Sequence, residues 1–335
     1  MAVRCFAALL LATLVSSSVR AEPQVRLRFA TIAPDGTGWA REVKAFAREI
    51  ENASSGRVGL HMYLGGIAGD DAEMGRRMRK DQLDGALSAG ILCQEVAPAF
   101  AVFRIPGLVQ DRAEERYVET RLLPTLRTQS RANGMVLLAT GSLGTDVVLS
   151  RIPIDSLDRL RRLRLWQWDL DQTSVTFTRA MGMHPVPMPV TEAGRAYEEG
   201  KTDGFIAVPS AIFGYQWFSQ KVYLSQFPFA PLHACALMTA TAYERLPTDL
   251  REVVETASVK FGLRIGETTR AQDEELLGGL FAKQGVRSVP VSPLLRAQFL
   301  DAAHAARDKL GSQLVPRELL LQVQSFLADY RSEHH

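Results

Sequence analysis

Four short stretches of this chain bring together residue types that can do chemistry. Gly141-Ser142-Leu143-Gly144 sets a serine among glycines, yet the serine directly follows the first glycine and misses the Gly-x-Ser-x-Gly spacing of a nucleophile turn. Gly36-Thr37-Gly38, ahead of a helical pattern, lacks the third glycine of a dinucleotide loop and the lysine of a phosphate loop. Asp169-x-Asp171 offers two carboxylates, well short of a calcium loop. It reads instead as a solvated helix start, where aspartate suits the positive end of the helix dipole. His184 and His233 stand apart, with no HExxH pattern and no triad order, and read as structural or surface histidines. No catalytic residue, metal-ligand set or cofactor signature is assigned. A secreted hydrolase whose nucleophile and base converge only in three dimensions remains an open alternative.

Recognition by aromatic surface is the other chemistry on offer. Residues 157–217 open with a basic, apolar-alternating stretch read as a strand, then a helix. A Met-Gly-x-x-Pro-x-Pro-Met-Pro turn and strand, a second helix and a short strand from Asp203-Gly204 follow. Within Leu163-Arg164-Leu165-Trp166-Gln167 the period of two puts Arg164 and Trp166 on one face. Arg159, Arg161, Arg162 and Arg164 form a basic cluster, read as a solvated strand edge and turn.

The elements that must position these residues alternate between strand and helix. Val25, Leu27 and Phe29 alternate as a strand, Trp39, Val43, Phe46, Ala47 and Ile50 repeat at helical spacing, and Val58, Leu60, Met62 and Leu64 alternate again. Further strands are read at residues 83–89, 135–139, 147–150, 235–241 and 286–291. Helices are read at 72–80, 112–133 and from Leu246-Pro247 to about 284, with two more closing the chain. The segment 235–241 is read as a strand returning to the first half. Strands alternating with helices throughout imply an α/β fold. About 310 residues beyond the leader exceed what one core usually supports, so two domains are expected.

Residues 1–21 read as an export signal: Arg4, an apolar run over residues 6–15, and Val19-Arg20-Ala21 before Glu22. Without Arg4 and Arg20, the 39 Lys+Arg of the whole chain fall to 37 against 37 Asp+Glu, a balance that excludes the basic face of a nucleic-acid binder. Cys93 and Cys235 follow the leader; they could pair in an oxidising compartment or stay as buried thiols. Cysteines this few and histidines this scattered do not suggest zinc.

From about Val25 to Phe299 the order of elements resembles the substrate-binding subunits of tripartite ATP-independent periplasmic (TRAP) transporters, the DctP family. The resemblance is carried by residues 157–217, by Ser54-Ser55-Gly56-Arg57, by Gly69-Asp70-Asp71 with Leu83-Asp84, and by Phe103-x-x-Pro106-Gly107-Leu108 before Asp111-Arg112. It implies a two-lobed periplasmic-binding-protein fold with crossover strands at a hinge. The implied division is 1–21 signal peptide, 22–143 plus 232–271 lobe I, and 144–231 plus 272–335 lobe II.

Members of the family usually carry an arginine at the end of the first strand of the stretch matching residues 157–217, where it clamps a ligand carboxylate. The matching residue here is Trp166, and other polar positions are depleted too. The family's Asp-Gly-Gln-Glu-Asn-Pro run reads Asp203-Gly204-Phe205-Ile206-Ala207-Val208-Pro209. The resemblance therefore implies a receptor that captures a small, partly apolar ligand in a cleft free of countercharge. Trp166, Trp39, Ser88, Val190, Pro209 and Ile212 are the expected contacts. Trp166→Ala is expected to weaken binding at least about tenfold and to leave the melting temperature nearly unchanged. The implied partners are the small and large TRAP membrane subunits and, as in some members, a periplasmic helical-repeat protein. A scaffold that has lost its ligand and serves as an interaction module is the remaining alternative.

Overall fold

The structure, a computed structural model, describes residues 23–218 and 222–334; the expected signal peptide lies outside the described residues. The chain begins β1 (Val25–Ala30), α1 (Gly38–Ala53), β2 (Val58–Tyr63), α2 (Asp71–Arg79), β3 (Gly85–Ser88) and α3 (Ile91–Val96). A 3-10 turn over Pro98–Arg104 leads to α4 (Arg112–Ala132) and β4 (Met135–Thr145). Helix starts are marked by side chains that accept orphan backbone N–H groups: Thr37 for α1, Asp70 for α2 and Asp111 for α4.

At Asp146 the chain leaves the first sheet. It continues as β5 (Val147–Ser150), α5 (Leu157–Arg162), β6 (Arg164–Trp168), α6 (Gln172–Ala180), β7 (His184–Met188), α7 (Val190–Glu198), β8 (Gly204–Ala207), α8 (Pro209–Gly214) and β9 (Tyr223–Ser225). Then β10 (Pro231–Thr239) returns to the first sheet, followed by α9 (Ala240–Glu244) and the long α10 (Thr248–Glu275). A π-turn over Leu276–Leu280, α11 (Phe281–Lys283), β11 (Arg287–Ser288), α12 (Pro293–Leu310) and α13 (Arg317–His334) complete it. No helix among the described residues is long and apolar enough to cross a membrane.

The strands form two sheets, one per lobe. The first runs β2-β1-β3-β10-β4 and the second β11-β9-β5-β8-β6-β7. In the first, β1 is parallel to β2 and β3, while β10 lies antiparallel between β3 and β4. The two crossing segments hold each other, since the Asp146 amide donates to the Ala230 carbonyl at 3.1 Å. Gly144, just before that crossing, has φ of +101°, a conformation that favours glycine. Buried residues under α1 and α10 include Phe29, Phe46 and Phe261; the second lobe packs Trp166, Phe205, Trp217 and Phe281. Helices α12 and α13 part company: α12 packs on α5 and α6, whereas α13 lies against α4.

Two expectations change. Residues 157–162 are a helix rather than the start of a strand. Ser156 caps it, Leu157 and Leu160 are three apart, and only from Leu163 to Leu165 does the spacing fall to two. The basic cluster is therefore split: Arg159, Arg161 and Arg162 lie on α5, and Arg164 opens β6. Cys93 and Cys235, left open by the sequence, form a disulfide that fastens α3 to β10.

Candidate functional site

A cleft enclosing about 680 Å³ of space, part of it open to solvent, lies between the lobes. Ile32, Trp39, Ala89 and Leu232 line it from the first lobe, and Trp166, Trp168, Val190, Tyr215 and Trp217 from the second. A smaller pocket of about 490 Å³ shares Ile32, Trp39 and Ala89 and runs into the first lobe past Val43, Ser88 and Phe261. A ligand of modest size, walled by aromatic rings with few polar groups, is what such a space accommodates.

Three charged groups, Arg104, Asp146 and Asp171, also line the larger cavity. Arg104, at the end of the 3-10 turn, is buried. Its Nε donates to Asp171 Oδ2 at 2.7 Å and its Nη2 to Asp146 Oδ2 at 2.7 Å. Its Nη1 donates to the carbonyls of Pro231 and Ala230, at 2.9 and 3.3 Å. The guanidinium thus ties the first lobe to both crossing segments and to the start of α6. Burial opposes its charge, but the two carboxylates outweigh burial and hold its pKa above the ordinary value. Burial raises the pKa of Asp146, the Arg104 charge opposing that rise and Asp171 adding to it.

The expectation of a cleft free of charge is thereby corrected. Arg104 escaped the sequence reading because it sits outside the position where the clamp arginine is looked for. The signal was there: it is the sole charge in the apolar run over residues 97–109, and a lone charge in such a run is buried only with partners. Asp171 is a helix start as read, accepting from the Ser174 amide, but it is buried rather than solvated.

The expected contacts divide. Trp166, Trp39 and Val190 line the larger cavity together. Trp166 is only 3% exposed; its Nε1 donates to the Met188 carbonyl, and its ring lies 4.9 Å from that of Trp217. It is at once wall and core. Trp39 Nε1 donates to Thr269 Oγ1. Ser88 lines the smaller pocket, but its hydroxyl donates to the buried Asp71 and accepts from the Gly90 amide. Pro209 and Ile212 line neither space. Residues 208, 211 and 215, spaced three and four apart, face the cavity, and α8 turns 209 and 212 into the core. Arg164 is exposed on the first residue of β6 and pairs with Asp203 at 2.8 Å. The adjoining Gly204 could not carry a side chain, since a Cβ would fall 2.0 Å from the Leu149 carbonyl of β5.

Two buried groups lie away from this cavity. His233 Nδ1 contacts Glu115 at 2.8 Å and Nε2 lies 3.3 Å from Glu119. Burial lowers its pKa, but the two glutamates prevail and push it up to about 10. The β-ladder sets His233 opposite Ser142 in register, while its ring nitrogens face Glu115 and Glu119. An imidazolium held protonated has no lone pair with which to take the serine's proton, so this pair does not make a catalytic centre. Asp71 is pushed up to about 6 by burial, against the hydrogen bonds from Ser88 and the Leu92 and Ile91 amides. Its oxygen caps the start of α3.

The family described as bacterial extracellular solute-binding protein, family 7 (DctP), matches residues 29–313. Among solved structures, the sugar acid binding protein DctPAm of Advenella mimigardefordensis, in complex with galactonate, has a TM-score of 0.84 at 19% identity, over 92% of this chain and 99% of its own. A TRAP periplasmic solute binding protein from Haemophilus influenzae with bound L-gulonate has a TM-score of 0.82 at 20% identity, over 91% and 99%. DctP7, a Bordetella pertussis extracytoplasmic solute receptor binding pyroglutamic acid, has a TM-score of 0.81 at 19% identity, over 90% and 99%. At these identities the likeness is one of fold. An uncharacterized protein of Haemophilus influenzae is 28% identical over 160 residues, so the match spans about half (48%) of that curated relative. With its two lobes, its interlobe cavity and a family match over most of its length, the chain belongs to the DctP family of bacterial extracellular solute-binding proteins.

Proposed function

We propose that this chain is the extracytoplasmic receptor of a TRAP-type secondary transporter and captures a small molecule with a substantial apolar part. On this reading the chain works in the periplasm after loss of its leader and is a binder rather than an enzyme. The observation that carries the reading is the interlobe cavity walled by Trp39, Trp166, Trp168, Tyr215 and Trp217. The ligand enters the open cleft, touches both lobes and biases the hinge at the crossing segments towards closure. Closed, the receptor docks on the small and large membrane subunits and releases its cargo to them. A periplasmic helical-repeat partner belongs to the same reading.

Relatives of this fold were found with galactonate, gulonate and pyroglutamic acid. Here an indole occupies the place where the family resemblance puts the clamp arginine. Because Trp166 is already only 3% exposed, the gain on binding comes from the ligand's own apolar surface, at about 25 cal/mol per Å² removed from water. A carboxylate buried there without a free donor forfeits hydration worth several kcal/mol. Trp39, Trp166 and Val190 are the proposed contacts of this reading, with Trp168, Tyr215 and Trp217 added from the cavity wall. Ser88, Pro209 and Ile212 act behind them.

Native mass spectrometry of the protein purified from the periplasm without denaturant tests this directly. A co-purified molecule of low mass with an aromatic or branched aliphatic body is expected, together with a smaller radius of gyration than the stripped protein. A polyhydroxy acid in that position would overturn the specificity.

A further inference from the structure

We propose that the ligand carries a cationic group, an ammonium on an apolar body, seated between the indoles and the Asp146–Asp171 carboxylates. The inference rests on the receptor reading above and names its substrate class. The observations are the charges that line the cavity and the aromatic faces around them.

Among the described residues lining the two cavities, the formally charged ones are Arg104, Asp146 and Asp171. One guanidinium stands against two carboxylates, so the base of the cleft holds surplus negative charge. Buried charge of this kind is stable only with a countercharge, and Asp146 shows the shortfall in its raised pKa.

An anionic ligand would need a free cation, and the one on this wall is paired. All three nitrogens of the Arg104 guanidinium donate to groups of the chain itself. The Trp166 and Trp39 indole N–H groups donate to Met188 and Thr269. Gln167 gives its amide N–H to Ser174. Trp168, Tyr215, Trp217 and the Ser174 hydroxyl still carry donors, but the walls also present π faces, and a cation over an indole face is attracted by the ring quadrupole. The cleft thus offers an ammonium two carboxylates and ring faces, and offers a carboxylate no unpaired cation.

The test uses three probes of one shape on the full mature chain: phenethylammonium, phenethyl alcohol and phenylacetate, titrated by calorimetry and tryptophan fluorescence at neutral pH. The expected order is ammonium tightest, by at least about tenfold over the alcohol, with phenylacetate weakest. Asp146→Asn is expected to cut the ammonium preference to within about threefold while the alcohol still binds. If that variant fails to fold, the ranking on the unaltered protein decides alone. Equal affinity for ammonium and alcohol would overturn the cation and leave the apolar receptor standing. Phenylacetate binding tightest would overturn both the cation and the apolar specificity. No binding by any probe would count against the receptor reading itself.

Discussion

Replacing Arg104 by methionine isolates the group on which the cleft's electrostatics turn. Methionine keeps most of the apolar stem and deletes the charge. It leaves Asp146 and Asp171 buried without a cation and the carbonyls of Ala230 and Pro231 without that donor. Removing one partner of a buried ionic cluster costs about 3–5 kcal/mol. With an unfolding entropy near 2.1 cal/mol/K per residue over roughly 310 residues, that is a fall of roughly 5–8 °C in melting temperature. The loss should depend on pH with a definite sign. Burial already raises the Asp146 carboxyl above its unfolded value, and losing the Arg104 charge that opposes this rise raises it further, so the folded variant binds a proton before the unfolded chain does. Its stability relative to the unaltered protein therefore recovers as pH falls. Calorimetric melts between about pH 5 and 8 read this directly. Arg104→Met combined with Asp146→Asn and Asp171→Asn should restore most of the loss, because a neutral cluster needs no countercharge and asparagine still caps α6. A single variant as stable as the parent at pH 7.5, or a deficit that stays constant with pH, would refute the buried-triad account.

Trp166→Ala should weaken ligand binding and also cost about 3–5 kcal/mol of stability, because the ring packs on Trp217 and is buried. The expectation of an unchanged melting temperature is revised accordingly, and Trp168→Ala, at a half-buried wall position, should separate affinity from folding. Reducing Cys93–Cys235 opens a loop of 142 residues. In the chain-entropy account this removes about 5 kcal/mol, so melts with and without reductant should differ by several degrees, and identical melts would argue against the bond. His233 is protonated with a folded pKa raised from 6.5 to about 10. Its contribution is complete below the unfolded value and is lost as pH rises through about 10. Alkaline melts should show this loss, and His233→Gln should abolish it.

The alternation of elements was legible because each strand and helix carries its own period. Val147–Ser150 was read to the residue, and the return of β10 to the first sheet was read from one apolar run. Residues 157–162 failed for a local reason. Leucines at 157, 160, 163 and 165 mix a spacing of three with one of two, and the strand period was extended backwards through a capped turn. The disulfide was not legible, because its two cysteines lie 142 residues apart and nothing local brings α3 beside β10.

The site was legible in its aromatic half and illegible in its charged half, and the difference is instructive. Trp39, Trp166 and Val190 meet in the cavity because each lies on an element whose facing side is set by period and topology. Arg104, Asp146 and Asp171 come from a 3-10 turn, a crossing segment and a helix cap, three places with no period to read. With Trp166 where the family resemblance expects an arginine, the cleft is still charged, against what the sequence implied. The question moves from which charged residues are present to which charges remain unpaired. With the guanidinium paired to two carboxylates and donating to two carbonyls, the cleft holds an arginine whose charge is already matched within the chain. Its remaining electrostatic character is the carboxylate left over.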